Sequence, residues 1–285
     1  MEIVESSIGE ILTRACGYLR TVCSHSAQPY RGCALGNSLC GAGCYVQHNR
    51  YVTRGRAWGS FLEVRTGAAD SYRRSAARER RWAWANRGAF AVYVSSSTEP
   101  FQPIEPRLGV TRRLLEAMRD DPPDALVLQT HSHRVTEYLE LYRELAARCA
   151  LRVHVSIETD REELPGLAPH ASRVAQRFEA AERLKAAGIT TWITVSPLLP
   201  IADPERFFAR VRAAADAVVV DHFIGGDGSA NGSRTLRTQL PAAIAAIDPE
   251  ALTLDYRDRM VAVAARHLPG RVGVGCDGFA GRFLR

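Results

Sequence analysis

Pro29-Tyr30-Arg31-Gly32-Cys33-Ala34-Leu35-Gly36-Asn37-Ser38-Leu39-Cys40-Gly41-Ala42-Gly43-Cys44-Tyr45 is the stretch around which the rest of the chain has to be arranged. Three cysteines stand at a C-x6-C-x3-C spacing among glycines, which let a backbone wrap closely around a bound group, and an aromatic residue follows directly. Three thiolates so close together read as a metal site. Thiolates are the usual protein ligands of iron–sulfur clusters, and a set of three leaves one iron of a four-iron cluster open to a small molecule. The same residues allow a second arrangement, because Cys33, Cys40, Cys44 and His48 follow a C-x6-C-x3-C-x3-H spacing compatible with tetrahedral zinc.

The remaining composition bounds the class of protein. At 285 residues, of which 46% are hydrophobic, the chain suits one large domain or two small ones with a sizeable core. It has no run of about 18 apolar residues, so no membrane-spanning helix is expected. Met1 to Glu5 lack the basic and apolar regions of a signal peptide, and a cytoplasmic location is expected. The cysteines are Cys16, Cys23, Cys33, Cys40, Cys44, Cys149 and Cys276; an odd set clustered near one end fits metal binding better than a disulfide framework. Cys16 and Cys23 are expected in a local helix or loop, Cys149 and Cys276 as buried structural thiols. The net charge is +6, with Lys185 the only lysine. That charge permits nucleic-acid binding without requiring it.

Residues 6 to 28 carry a weak helical pattern through Ile8, Ile11, Leu12 and Leu19 and are expected as a lead-in beside the cysteine loop. Strand and helix then alternate. Strands are predicted at Phe61–Val64, Ala89–Val94, Ala125–Leu128, Leu151–Ile157, Thr190–Val195 and Ala217–Val220. Helices are predicted at Asp70–Arg87, Glu105–Arg119, Val135–Cys149, Ser172–Ala187 and Pro204–Ala214, the last with Asp203 as its cap. Helices near Pro241–Ile247 and Asp255–His267 and a strand at Arg271–Val274 complete the chain. Six strand–helix units with short connections argue for an α/β fold with a parallel sheet. Periodicity does not separate a partial barrel from a flat doubly wound sheet.

Pro29-Tyr30-Arg31-Gly32-Cys33 and Cys44-Tyr45 resemble the corresponding runs of radical S-adenosylmethionine (SAM) enzymes, in particular the branch similar to spore photoproduct lyase. The usual spacing there is C-x3-C-x2-C, so this loop is longer by three residues in the first gap and one in the second. The resemblance implies a partial (β/α)6 TIM-like barrel over residues 61–235. It implies an N-terminal lead-in and cluster-binding loop over 1–60 and a small C-terminal helical extension over 236–285. It further implies a [4Fe-4S] cluster on Cys33, Cys40 and Cys44, SAM at the open iron, and a flavodoxin or ferredoxin as electron donor. One electron passed to the sulfonium would release methionine and leave a 5′-deoxyadenosyl radical to abstract hydrogen from a nucleic acid or metabolite.

In parallel α/β folds ligands gather at the C-terminal ends of strands. Polar clusters follow five consecutive predicted strands: Ser97-Thr98-Glu99, Thr130-His131-Ser132, Ser156 with Glu158, Ser196, and Asp221-His222 leading into the loop Gly225–Ser233. The resemblance orders this ring. Val94 to Gln102 matches a second-strand motif whose acidic residue binds the SAM amino group, a role that carries to Glu99, with Thr98 beside it. Thr130-His131-Ser132 matches a Thr-Lys-Ser motif whose lysine pairs with the SAM carboxylate; His131 can do so when protonated or through a neutral N–H. Ser156 matches a SAM-contacting serine, and Tyr45 is expected against the adenine. Glu158, two residues on and on the same strand face, and Ser196 complete the expected cofactor pocket. Asp221, His222 and Asp227 are substrate-side candidates. Arg74, Arg78 and Arg81 form a helical stripe that reads as a solvated face. Photoproduct lyase has a hydrogen-donating cysteine near the position of Ser97, and a hydroxyl is a poor hydrogen-atom donor. Thymine-dimer repair by that route is therefore not expected.

Overall fold

The alternation of strand and helix is present in the computed structural model, which describes residues 1–285, and every strand from Ala91 onward falls within two residues of its expected bounds. In chain order the strands are β1 (Glu2–Glu5), β2 (Leu12–Arg14), β3 (His25–Ala27), β4 (Tyr30–Gly32), β5 (Phe61–Val64), β6 (Ala91–Val94), β7 (Ala125–Thr130), β8 (Ala150–Ser156), β9 (Thr191–Val195), β10 (Ala217–Val220) and β11 (Val272–Val274). One sheet has the order β11-β10-β9-β8-β7-β6-β3-β2. All its neighbours pair in parallel except β2, which lies antiparallel to β3 at the edge. A helix lies between each successive parallel pair, which gives the expected partial (β/α)6 barrel, from β3 to β10, extended by β11.

The first barrel strand is β3, a correction to the expectation at both ends of the N-terminal segment. Residues 6 to 28 are not a helical lead-in: they contain β2, a short 3-10 turn at Gly17–Thr21, and β3. Three residues, His-Ser-Ala, are too few to show an alternation, and pairing with β6 is what makes them a strand. Phe61–Val64 is a strand but lies in a separate three-stranded sheet, β1-β5-β4. It is buried throughout, and its Glu63 is paired with Arg31 and Arg56. The barrel sheet thus draws strands from both segments expected to flank the core, 1–60 and 236–285.

Two expected helices are broken. Glu105–Arg119 divides into Glu105–Leu108 and Val110–Asp120 at Gly109, whose φ of 58° is a left-handed conformation suited to glycine. Val135–Cys149 begins as a 3-10 turn, His133–Tyr138, and becomes α-helical only over Leu139–Ala146. Asp203 caps Pro204–Ala214 as expected, accepting from Arg206 N at 3.0 Å. At that helix's other end the single lysine acts as a tripod. Lys185 Nζ donates to the carbonyls of Arg212 (3.1 Å), Ala213 (3.1 Å) and Ala215 (2.8 Å), a use for three rotatable donors that a planar guanidinium does not serve. No helix is long and apolar enough to cross a membrane.

Successive side chains of a strand point to opposite faces, and the barrel follows this rule. Val92, Val94, Leu126, Leu128, Val153, Val155, Ile193, Val195, Val218 and Val220 face the helices in a core of 60 buried residues. Tyr93, Val127, Trp192, Ala217 and Val219 face inward in a second cluster of nine. The seam between the sheet's two ends is bridged by Tyr18 against Phe279, with ring centroids 6.0 Å apart, and by Cys276 Sγ, 3.0 Å from Tyr18 O and 3.1 Å from Thr21 Oγ1.

The break at Gly109 serves a buried carboxylate. Glu105 accepts from the Tyr30 hydroxyl, from Tyr138 Oη at 2.8 Å, and from the amides of Val110, Thr111 and Arg112 at 3.0–3.1 Å. It therefore caps the helix Val110–Asp120 and ties β4, the approach to the cysteine loop, to the second crossover. Glu105→Ala leaves two hydroxyls and three amides without their acceptor, and we expect a loss of about 4 kcal/mol in urea unfolding. A loss below about 1 kcal/mol would show this anchor to be dispensable.

Candidate functional site

The cysteine loop is held by contacts that admit no side chain. A Cβ on Gly41 would lie 2.3 Å from the Gly36 backbone, and one on Gly36 would lie 2.3 Å from Gly59 Cα. Between these contacts runs the short helix Leu39–Gly43, capped by Ser38, whose Oγ accepts from Gly41 N. Leu39 N reaches across to Pro169 O at 3.0 Å, which fixes the loop against the segment that follows β8.

Within this frame Cys33 is buried, and Cys40 and Cys44 are partly buried. The thiols are neighbours: burial pushes Cys33 up to about 12, with Cys40 adding to it, and burial followed by Cys40 and Cys33 holds Cys44 well above the ordinary 9.0. They are not drawn together into a closed set of three at ligand distance. Cys33 and Cys44, thiols that resist ionisation, suit a metal core that takes thiolates, since coordination replaces the missing solvation. Gln102 Nε2 donates to Cys33 Sγ at 3.4 Å and its Oε1 accepts from Ala34 N at 2.9 Å, so one side chain positions the first cysteine and its neighbour.

The strand ends meet the loop at Cys40. Burial alone would lower the pKa of His131, but Cys40 and then Glu158 outweigh it and hold the imidazole well above its ordinary 6.5. The shift favours the protonated imidazole, one of the two forms in which His131 is expected to meet a carboxylate. Its Nε2 lies 2.9 Å from Glu158 Oε1, and Glu158 Oε2 accepts from Arg177 at 2.6 Å. Arg177 is almost fully buried and also donates to Ser156 O at 2.6 Å. Burial raises the pKa of Glu158, but Arg177 and His131 more than offset it, so the carboxylate stays ionised. Glu99 is clasped by its surroundings: Oε1 accepts from Thr130 Oγ1 (2.5 Å) and Phe101 N (3.0 Å), and Oε2 from His131 N (2.8 Å). Thr98 is buried beside it. Ser95, which turns the chain out of β6, has a φ of 70°, a strained conformation for a residue with a Cβ.

Ser156 faces the lumen. Its Oγ is 2.9 Å from Thr194 Oγ1, directly opposite on β9, and accepts from Gln129 Nε2 at 3.3 Å. Gln129 in turn accepts from the Tyr93 hydroxyl, so a polar ladder crosses four strands inside the barrel. Ser196 Oγ donates to Asp221 Oδ2 at 3.0 Å. Tyr45 opens a 3-10 turn after Cys44; burial, then Cys44 and Asp221, keep its hydroxyl protonated.

The substrate-side candidates His222 and Asp227 also bond within the fold. His222 caps a turn through Ile224 N and reaches Ala251 O at 3.1 Å, and Asp227 is buried, gathering the amides of Ser229 and Thr235. Burial and then Arg237 lower the pKa of His48, the fourth residue of the C-x6-C-x3-C-x3-H spacing. Arg78 pairs with Glu10 and Glu79 on an exposed face, as expected of its stripe. Sequence reasoning gave no role to Gln102, Gln129 or Arg177. Gln102 lay inside the quoted motif, whereas nothing in a helix pattern distinguishes a buried arginine from an exposed one.

No family model matches the chain, and no curated protein matches it by sequence. Among solved structures, spore photoproduct lyase complexed with dinucleoside spore photoproduct superposes with a TM-score of 0.64 at 15% identity, over 96% of this chain and 81% of that one. A variant of that lyase with bound AdoMet and dinucleoside spore photoproduct gives a TM-score of 0.64 at 15% identity over the same shares. A variant with the dinucleoside alone gives 0.65 at 16%, again over 96% and 81%. At such identities the likeness establishes the fold, and the barrel implied by the resemblance is borne out.

Burial pushes Asp221 up to about 6 from 3.8, against the opposing bonds from Ser196 and Tyr18. A carboxyl with a raised folded pKa costs no stability below about pH 4 and its full penalty above about pH 6. Asp221→Asn is therefore expected to leave thermal stability unchanged near pH 4 and to raise it by about 2 kcal/mol at pH 8. Equal shifts at both pH values would show that Asp221 does not titrate as described.

Proposed function

We propose that the chain is a radical SAM enzyme. In this reading Cys33, Cys40 and Cys44 hold a [4Fe-4S] cluster, SAM binds at the strand ends, and a hydrogen atom is taken from a substrate that is a nucleic acid or a metabolite. The observation that carries it is Gln102, whose Nε2 donates to Cys33 Sγ at 3.4 Å and to Glu99 O at 3.0 Å, since it joins the cysteine loop to the ring of polar strand ends. When bound, cluster and SAM together supply the reductive cleavage and the hydrogen abstraction.

The chain's own residues bind, orient and shield. Cationic His131 is assigned to the SAM carboxylate, held in place by Glu158 and Arg177. Glu99 is assigned to the amino group. Its Thr130 and His131 bonds fix the carboxylate orientation, so that a bound ammonium meets a pre-aimed acceptor. Tyr45, Thr98, Ser156 and Ser196 are assigned to the remainder of the cofactor, with Tyr45 against the adenine. Gln102 tunes the cluster through its bond to Cys33. A small redox protein such as flavodoxin or ferredoxin is the proposed electron donor.

The return of hydrogen from a strand-end thiol, the route of photoproduct lyase, is not assigned to this chain. The strand end after β6 offers Ser95, Ser96 and Ser97, all hydroxyls. Cys276 is engaged at the barrel seam. We therefore do not assign to the chain thymine-dimer repair through a strand-end thiol.

Reconstituted under strict anaerobiosis, the protein is expected to be brown and to release 5′-deoxyadenosine from SAM once reduced; Cys40→Ala is expected to lose both properties. His131→Leu is expected to weaken SAM binding about tenfold, and His131→Lys to restore most of it. Colourless protein with one tightly bound zinc would refute the proposal.

A further inference from the structure

The guanidinium that holds Glu158 is itself held from behind. Arg177, on the helix Val174–Ala186, is 1% exposed. Its Nη1 donates to Ser156 O and to Glu158 Oε2, both at 2.6 Å, so that nitrogen is turned toward the strand ends. Its Nη2 lies 3.0 Å from Nδ1 of His170, a residue with no part in the site described above. His170 is half-buried in the segment between β8 and that helix, and its Nε2 lies 3.1 Å from Arg161 O.

These two contacts leave His170 one protonation state. A guanidinium has N–H donors and no acceptor, so the Nδ1 beside it carries the lone pair. A carbonyl only accepts, so Nε2 carries the proton. His170 is therefore neutral, and burial followed by Arg177 lowers its pKa from 6.5 against the opposing pull of Glu158. The segment around the ring is tied down on three sides. Pro169 O accepts from Leu39 N at 3.0 Å, Arg161 N donates to Thr159 Oγ1 at 3.2 Å, and Glu162 accepts from the amides of Val174 and Ala175 at 3.0 and 3.1 Å. A line of side chains thus runs from His170 through Arg177 and Glu158 to His131, with links of 3.0, 2.6 and 2.9 Å.

We propose that His170 is a positioning residue for the SAM carboxylate: by accepting from Arg177 it fixes the guanidinium, through it Glu158, and through Glu158 the imidazole of His131. The inference rests on the assignment of His131 to that carboxylate. Without the acceptor, a buried Arg177 donor is left unpaired and the guanidinium loses its rear anchor. Outer partners of this kind change ligand affinity by about ten- to a hundredfold.

The cluster-free protein tests the first link. Nitrogen NMR of the imidazoles is expected to show His170 with a bare Nδ1 and a protonated Nε2; a proton on Nδ1 would overturn the proposal. The last link is read by anaerobic equilibrium dialysis of cluster-loaded protein with SAM and with decarboxylated SAM, which keeps the ammonium. Asparagine places its carbonyl oxygen where Nδ1 stood, whereas glutamine places its amide where Nε2 stood. His170→Asn is expected to bind SAM as the wild type does, and His170→Gln to bind it about tenfold more weakly. Decarboxylated SAM is expected to bind all three proteins alike, a result that general damage to the fold would not give. Equal SAM affinities for the wild type and His170→Gln, or an equal loss for both ligands, would also overturn the proposal. SAM that fails to bind the wild type overturns the reading of the site and this inference with it, whereas the other failures leave that reading intact.

Discussion

A parallel strand covered by helices on one side must turn every second side chain toward whatever lies on the other. In this chain that constraint divides the apolar residues into a large outer core and a small inner one. The small inner core leaves room for polar groups in the lumen. Tyr93, Gln129, Ser156 and Thr194 occupy it as one connected ladder rather than as isolated polar residues, which burial would penalise. The rest of the molecule follows from where the ladder ends, since the strand termini above it carry Glu99, His131 and Glu158.

Charge organises the space between those termini and the cysteine loop. Glu158 is shared by Arg177, which is buried, and His131, which is partly accessible. A histidine is thus fixed by a carboxylate whose other oxygen is held by a buried arginine, so the strand ends keep their side chains in one arrangement. Further out, Glu105 does comparable work for the backbone, binding the loop's approach at Tyr30 to the start of a crossover helix. The glycine contacts at Gly36, Gly41 and Gly59 then leave the loop few alternative paths.

Much of this was legible in the sequence wherever a local pattern existed. The apolar runs at Ala125 and Ala217, the Asp203-Pro204 start and the three cysteines each carry their own signal. Signals failed where structure is set from a distance. His25–Ala27 is a strand because β6 lies beside it, and Phe61–Val64 leaves the barrel because β1 and β4 claim it. The helix break at Gly109 was visible as a glycine, but its purpose depends on Tyr30 and Tyr138, both far away in the chain. In the site, single residue types such as Glu99 and His131 were readable from motifs. Gln102 and Arg177, which bond Cys33 and Glu158, were not, because a hydrogen bond across many residues leaves no periodicity.

The tripod at Lys185 has a practical side. Its amine is occupied by three carbonyls and the other basic side chains are arginines or histidines, so the chain presents no free side-chain amine. Acylating reagents and amine-directed crosslinkers should find little purchase on its side chains. Any that do react at Lys185 would report that the end of the helix Pro204–Ala214 has come undone.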